Sequence, residues 1–286
     1  MPEKKSITIY STTQNYLDLI RFSKPGGTLL IFLPHIYGLT VAAYARKLQL
    51  EEYIDWFFKL FVWSFVARSL GCTINDMCDY RYDREVERTK DRPLASGKIS
   101  LFGAGLFLVF QSLVYFALLW TPDRNLLIAF PLMFMYPLMK RVTPFPQAWL
   151  GIAMNWGVVL AWTSIYGPIN QGVIAPLMAG LWAWTMFYDT IYACQDRKDD
   201  LRIGVGSSAI ALQSAIKPYL SLFAFAFTAL FTVALRANNH SLPLVAIIAG
   251  GTTIELAWQI IIIDPMDPST CKRKLANRPL DKDTEA

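Results

Sequence analysis

The hydrophobic residues of this chain are gathered into eight long stretches that polar segments separate. A helix needs roughly 20 mostly apolar residues to cross a bilayer, and most of the stretches reach that length. The pattern therefore predicts an all-α integral membrane protein with about eight transmembrane helices. The stretches cover residues 26–45, 53–74, 101–120, 126–139, 147–166, 172–192, 218–235 and 242–263.

The composition agrees with a chain that lies mainly in lipid. Of the 286 residues, 54% are hydrophobic and 14% are aromatic, which is above the apolar share of an ordinary soluble domain. No linker or low-complexity stretch divides the chain, so we predict a single membrane domain over residues 1–286. A polar N-terminal segment, residues 1–24, and a polar C-terminal tail, residues 264–286, border it.

The distribution of basic residues predicts how the helices are oriented. Most of the 27 lysines and arginines fall on one side of the membrane if the N-terminus is cytosolic, and positively charged loops stay on that side during insertion. We therefore predict that both termini and the mouth of any site near these loops face the cytosol. Insertion also accounts for the net charge of +5, so no nucleic-acid partner is expected.

A first acidic cluster directly follows the second apolar stretch. At helical spacing Asn75, Asp79 and Asp83 fall on one face, and Asp76 lies beside them. Aligned carboxylates repel one another and are costly near lipid, so a cation is expected to compensate them. Oxygen ligands without a convergent His or Cys suit Mg²⁺, which typically joins a few carboxylates to substrate phosphates.

A second acidic cluster occupies the equivalent place after the sixth stretch. Asp189, Asp196 and Asp200 again share a helical face. Either cluster alone is compatible with an ordinary solvated loop, and their recurrence at matched membrane boundaries favours a site. We predict metal ligation by Asn75, Asp76, Asp79, Asp83, Asp196 and Asp200, with Asp76, Asp79, Asp196 and Asp200 catalytic, around a bound diphosphate.

Basic residues near the clusters are candidates for binding that diphosphate. Arg68 lies two helical turns before Asn75, and an arginine inside a span is costly unless it faces a polar cavity or pairs with a carboxylate. The alternative for Arg68 is such an ordinary intramembrane ion pair. Weaker candidates, which could equally anchor helix ends at lipid headgroups, are Arg21, Lys24, Arg88, Arg92 and Arg202.

Aromatic residues flank the second cluster. An ionised allylic substrate is a carbocation, which aromatic faces can stabilise where water is excluded. Tyr188 and Tyr192 are the candidates, because they lie on either side of Asp189, although most membrane aromatics are packing residues. His35 and His240 are isolated in the sequence, so no catalytic triad is indicated.

The acidic clusters resemble those of the UbiA superfamily of intramembrane prenyltransferases. Asn75, Asp76, Asp79 and Asp83 match its pattern N-D-x-x-D-x-x-x-D. Further similar strings, several of them typical of the 4-hydroxybenzoate polyprenyltransferase branch, are residues 21–27, 68–75, 88–97, 136–141, 155–157 and 188–193.

This resemblance implies a ring of transmembrane helices, two carboxylate motifs that bind Mg²⁺ and diphosphate, and a cavity open to lipid for the prenyl tail. Two departures are visible. Gly206 stands where the family usually has a lysine, and the polar run 278–286 stands where a ninth helix is expected, so that helix is apparently missing.

The function that the resemblance implies is Mg²⁺-dependent transfer of an isoprenyl group from an allylic diphosphate to an aromatic acceptor, such as a phenolic acid or polyketide. We expect a farnesyl-like group. Glu3 and Asp18 argue against a mitochondrial presequence, which favours secondary metabolism, as in fungal meroterpenoid synthesis. The alternatives are a terpene cyclase that ionises the same diphosphate without an acceptor, a 4-hydroxybenzoate polyprenyltransferase of ubiquinone synthesis, and a non-catalytic membrane scaffold.

Overall fold

The structure is a computed structural model that describes residues 3–87, 89–118, 124–139, 142–203, 207–267 and 270–271. Within these ranges the side chains of residues 3–10, 124–127, 196, 198, 199 and 203 are not described. All regular structure in the described ranges is helical, as predicted. The α-helices are α1 (Glu3–Leu19), α2 (Gly26–Arg46), α3 (Leu50–Asp83), α4 (Leu101–Ala117), α5 (Arg124–Met139), α6 (Pro146–Ile165), α7 (Gln171–Ile203), α8 (Ser208–Leu212), α9 (Ile216–Ala237) and α10 (Leu242–Ile262).

Each of the eight predicted stretches coincides with a helix, namely α2 to α7, α9 and α10. Five described helical segments are long and apolar enough to cross a membrane, so the chain is a multi-pass membrane protein. Helix α4, with 17 residues, and the apolar part of α5 are shorter, and α7 does not reach the same hydropathy. The number eight for the spans therefore stays a prediction. The five segments are Gly26–Arg46, Leu50–Asp83, Pro146–Ile165, Ser208–Ala237 and Leu242–Ile262.

The chain forms two compact units, one of residues 1–138 and 153–169, the other of residues 139–152 and 170–286. The long helix α3 is the centre of the first unit and packs against α1, α2 and α4. Its core cluster contains Trp63, Leu70 and Ile74 of α3 together with Tyr115 of α4 and Leu160 of α6. The single membrane domain over residues 1–286 stays a prediction.

The length of α3 sets the position of the first acidic cluster. The helix has 34 residues and is thus about 51 Å long, whereas the hydrocarbon core of a bilayer is about 30 Å thick. The predicted span ended at residue 74, and the structure extends the helix nine residues further, to Asp83. The acidic residues therefore continue the transmembrane helix beyond its apolar part instead of lying in a separate loop.

The polar N-terminal segment forms a helix that packs within the first unit. It contains α1, whose last residue, Leu19, is fully buried, and the ring of Tyr16 lies 4.9 Å from that of Phe107 on α4. At the other end, the described part of the tail comprises residues 264–267 and 270–271. The rest of the tail, including the polar run 278–286 on which the prediction about a ninth helix depends, lies outside the described residues.

The second unit is built around the pairing of α7 with α9, and α9 also packs against α10. Trp182 of α7 donates a hydrogen bond through Nε1 to the carbonyl oxygen of Ala148 at 2.8 Å. Gln147 donates through Nε2 to Oγ1 of Thr190 at 3.2 Å, and both side chains are buried. These contacts hold α7, which carries the second acidic cluster, against the first turns of α6.

Small residues allow α2 and α6 to approach closely in the first unit. A Cβ atom on Gly38 would lie 2.6 Å from the backbone oxygen of Val158 and 2.9 Å from Cβ of Ala161. A Cβ on Gly157 would lie 2.5 Å from imidazole atoms of His35. Lipid tails are as apolar as the side chains, so close packing of this kind is a main source of association between membrane helices.

Gly38→Ala is expected to destabilise the first unit, because the new methyl group meets backbone that cannot easily shift. The cost should be about 1–3 kcal/mol and should lower the midpoint of thermal unfolding in detergent. Gly250→Ala on α10 is the matched control, since nothing lies within 4 Å of its Cβ position. Equal midpoints for the two variants would contradict the close packing of α2 on α6.

Candidate active site

The last turns of α3 carry three buried carboxylates. Asp76 is 1% exposed, and Asp79 and Asp83 are each 8% exposed, while Asn75 is half-buried. Because α3 is continuous from residue 50 to residue 83, the predicted placement of these residues along one face is confirmed. Buried carboxylates without compensating charge are strongly unfavourable, so the surrounding cations decide whether this arrangement is stable.

Arg21 supplies the first compensating charge. Its Nη2 donates to both carboxylate oxygens of Asp76, at 2.7 and 2.9 Å. Its Nη1 donates to the backbone oxygens of Asp18 and Leu19 at the end of α1, at 2.9 and 3.2 Å. The backbone of Arg21 is left-handed, with φ 59°, as is common where a helix ends. The end of α1 therefore fixes this guanidinium against the first acidic cluster.

Arg92 supplies the second compensating charge for the first acidic cluster. It lies in the segment between α3 and α4, and its Nη1 is 2.8 Å from Oδ2 of Asp83 and 3.4 Å from Oδ1 of Asp76. The sequence placed Arg92 only among the weaker candidates, although it contacts two members of the cluster. By contrast, the neighbouring Lys90 pairs with the exposed Glu87, and that hydrogen bond raises the pKa of Lys90.

Arg68 lies beside the same cluster and packs against the first turn of α2. A Cβ atom on Gly27 would lie 2.5 Å from Nε and Nη2 of Arg68, so only glycine leaves room for this guanidinium. The Nε atom is buried and has no hydrogen-bond partner. Together with Arg21 and Arg92, Arg68 lies within electrostatic range of Cys72, one turn before Asp76. Arg21 thus contacts the first acidic cluster, and the role of Arg68 in binding the diphosphate stays a prediction.

Lys24 is different, because it is exposed on the turn between α1 and α2 and takes no part in the ion pairs of the cluster. Arg88, the other basic candidate near the first cluster, lies outside the described residues, as does Gly206.

The second acidic cluster lies on the last four turns of α7. Because α7 is helical from residue 171 to residue 203, Asp189, Asp196 and Asp200 fall on one face, as predicted. Asp189 and Asp200 are half-buried, and the side chain of Asp196 is outside the described residues. Arg202, on the same helix, is exposed.

The two tyrosines near this cluster differ in environment. Tyr188 is half-buried, and its ring centroid lies 4.7 Å from that of Trp184, one turn earlier on α7. Tyr192 is 43% exposed. Tyr188 is therefore held in place by packing, whereas Tyr192 is far more accessible.

The donor set around Asp76 fits a hard divalent cation that shares its coordination with a ligand. Within the described residues, no three His, Cys, Asp or Glu side chains lie close enough together to form a complete protein cage. Mg²⁺ usually keeps waters and takes only one or two carboxylates plus substrate phosphates, so a complete cage is not required. Carboxylates, a neighbouring amide and nearby guanidinium groups match that mode of binding.

Comparison with known proteins decides the family. The sequence profile of the UbiA prenyltransferase family matches residues 31–279. This chain belongs to that family. UbiA prenyltransferase claS of Ampulloclitocybe clavipes is 41% identical over 275 residues, which is 94% of this chain and 87% of the relative. The 4-hydroxybenzoate geranyltransferase 1 of Lithospermum erythrorhizon is 34% identical over 267 residues, 92% of this chain and 85% of the relative.

Solved structures of UbiA proteins have the same fold. An apo UbiA homologue from Aeropyrum pernix K1 superposes with a TM-score of 0.68 at 22% identity, over 86% of this chain and 92% of that chain. A UbiA homologue from Archaeoglobus fulgidus bound to GPP and Mg²⁺ gives 0.64 at 16% identity, over 87% of each. The resemblance found in the sequence is confirmed, and this UbiA protein is an enzyme of the prenyltransferase class.

Gly27→Ala is expected to impair this prenyltransferase without unfolding it, because the new methyl group displaces the flexible end of Arg68. The KM for an allylic diphosphate should rise about ten-fold, the effect of losing one hydrogen bond to a charged group. The adjacent Gly26→Ala is the control, since nothing lies within 4 Å of that Cβ position. Equal KM values for the two variants would argue against a role of Arg68 in binding.

Proposed function

We propose that this UbiA prenyltransferase binds an isoprenyl diphosphate with Mg²⁺ and transfers a farnesyl-like group to an aromatic acceptor, such as a phenolic acid or polyketide. The observation that carries the proposal is the face of α3 on which buried Asp76, Asp79 and Asp83 meet Arg21 and Arg92. Carboxylates can bind a metal ion and guanidinium groups can bind a polyanion, so a face where both meet suits a metal ion and a polyanion bound together.

Relatives support both substrates. Two solved structures of the Archaeoglobus fulgidus homologue contain GPP or DMAPP with Mg²⁺, which favours an allylic diphosphate as donor. The geranyltransferase and several polyprenyltransferases among the relatives are named for 4-hydroxybenzoate, which favours a phenolic acid as acceptor. We propose a role in secondary metabolism, and 4-hydroxybenzoate prenylation in ubiquinone synthesis is the second candidate, which the relatives named as mitochondrial 4-hydroxybenzoate polyprenyltransferases support.

We assign metal ligation to Asn75, Asp76, Asp79 and Asp83 on α3 and to Asp196 and Asp200 on α7. When bound, Mg²⁺ would offset the charge of the diphosphate and make it a better leaving group. Asp76, Asp79, Asp196 and Asp200 are the residues whose charge the reaction requires most directly.

Basic residues would bind the diphosphate itself. Arg68 is the principal one, because its buried Nε lacks a partner and can donate to a phosphate oxygen. Arg21, Lys24 and Arg202 are proposed as further contacts, and the exposure of Lys24 and Arg202 makes their contribution weaker.

The aromatic residues of α7 are assigned to the prenyl group. Tyr188, packed against Trp184, presents a fixed ring that can stabilise allylic positive charge, and Tyr192 is proposed to act beside it. Asp189, between these two, is assigned to substrate binding. Exclusion of water by the surrounding apolar helices would protect the allylic cation from hydrolysis.

We also propose that both termini and the acidic end of α3 face the cytosol, as the basic residues require. This orientation is tested with the C-terminally tagged protein in sealed vesicles whose cytosolic face is outward. Added protease should remove the tag, and a tag that is protected would contradict the orientation.

The transferase proposal is tested by product analysis. Purified protein in lipid is given Mg²⁺ and geranyl, farnesyl or geranylgeranyl diphosphate, with and without a panel of phenolic acids, and products are identified by mass spectrometry. We expect a prenylated phenol that requires the acceptor, most efficiently with farnesyl diphosphate. A hydrocarbon formed without any acceptor would instead identify a terpene cyclase.

Asp76→Asn and Asp200→Asn are each expected to reduce turnover by about 100-fold or more, because each removes a charge on which metal binding depends while keeping the side-chain volume. Asp55→Asn is the control, since Asp55 is exposed on the first turns of the same α3 and pairs with Lys59. Retention of activity in either of the first two variants would overturn the metal assignment for that residue.

A further inference from the structure

A single nitrogen atom of Arg92 lies between two carboxylates of the first acidic cluster. Nη1 is 2.8 Å from Asp83 and 3.4 Å from Asp76, although these two residues are two helical turns apart on α3. A cation at this point interacts with both carboxylates at once. A metal cation held by either carboxylate would be attracted by the same negative charge that now holds Arg92.

The charges of the cluster explain why an arginine lies there. Asp76, Asp79 and Asp83 are all buried, and leaving such groups without compensation would cost several kcal/mol. Arg21 and Arg92 are the two cations whose ion pairs with Asp76 and Asp83 are seen directly in the described residues. Without a divalent cation, the cluster therefore depends on these two guanidinium groups.

The same contacts are incompatible with direct metal ligation. Mg²⁺ requires its oxygen ligands at about 2.0–2.1 Å in nearly ideal octahedral geometry. The Oδ1 atom of Asp76 accepts from both arginines, and Oδ2 of Asp83 accepts from Arg92. A metal ion that takes these oxygens therefore competes with the guanidinium of Arg92 for the same lone pairs and the same space.

Of the two arginines, Arg92 has the side chain that can leave. Its backbone segment keeps two further anchors when that side chain leaves: Ser96 N–H donates to the Arg92 carbonyl at 2.8 Å, and Arg84 Nε donates to the carbonyl of Ala95 at 2.8 Å. The side chain of Arg92 is 21% exposed. Arg21 is also tied to the end of α1 by two backbone hydrogen bonds, so its release would disturb that helix end.

We infer that Arg92 is an exchangeable counter-ion of the active site: it neutralises Asp76 and Asp83 until Mg²⁺ arrives, and then gives up its place between them to the metal. The inference rests on the proposed Mg²⁺ site. Arg92 is thus a positioning residue that keeps the ligands together and sets the affinity for the metal. Its guanidinium, once released, is available to the diphosphate that accompanies the metal.

The first experiment measures Mn²⁺ binding, as a spectroscopic substitute for Mg²⁺, by electron paramagnetic resonance on purified protein without diphosphate. Arg92→Gln should bind Mn²⁺ about ten-fold more tightly than the unaltered protein, because no ion pair has to be broken. Arg92→Lys, which retains the charge, should stay close to the unaltered protein. Lys90→Gln, which removes a positive charge from the same segment but one that pairs with the exposed Glu87 and not with the cluster, should leave Mn²⁺ affinity unchanged.

A second measurement uses the unaltered protein and does not depend on the folding of a variant. Hydrogen exchange of the backbone in residues 89–99 should become faster when Mg²⁺ replaces EDTA, since the segment loses its side-chain anchor. Unchanged or slower exchange would count against the release of Arg92.

The outcomes separate this inference from the proposed function. If the unaltered protein binds Mn²⁺ and Arg92→Gln binds it equally or more weakly, the counter-ion role is wrong while the metal site stands. If neither protein binds Mn²⁺ even after inorganic diphosphate is added, both the inference and the metal assignment fail. Binding by Arg92→Gln alone would support the inference strongly, because the arginine would then be the obstacle to the metal.

Discussion

Compensation of buried negative charge is the constraint on which the active end of this protein depends. Three carboxylates on one face of a helix repel one another and lose hydration, so they persist only where cations are held close to them. Arg21 is held by the end of α1, Arg92 by the segment after α3, and Arg68 by the space that Gly27 leaves. Three separate parts of the chain are therefore arranged around the last turns of α3.

The apolar packing of the first unit serves this arrangement. Helix α3 is embedded by Trp63, Leu70 and Ile74 along its apolar part, and its continuation carries the charged residues without a break. A continuous helix fixes the direction of every carboxylate relative to the packed part of the same helix. Flexible loops would not hold like charges so close together, because rotation about each backbone bond would let them separate.

The second unit also carries acidic residues at the end of a long apolar helix, but the described ones are less buried. Helix α7 is nearly as long as α3, with 33 residues against 34, and it too is apolar first and acidic at its end. Two of its acidic residues, Asp189 and Asp200, are half-buried, whereas Asp76, Asp79 and Asp83 of α3 are buried. Half-buried carboxylates keep part of their hydration and therefore need less compensation from neighbouring cations than fully buried ones do.

The sequence by itself determined the helices and the two acidic faces, because apolar runs and helical spacing are properties of neighbouring residues. Asp76, Asp79 and Asp83 were placed correctly for that reason, and the family followed from the strings around them. Only the tertiary structure decided which cations meet them. Arg21 and Asp76 are 55 residues apart, and Arg92 lies in a segment without periodicity, so no local pattern distinguished it from Lys24. Ion pairs between distant residues depend on how the helices pack, and that packing is set by the whole chain at once.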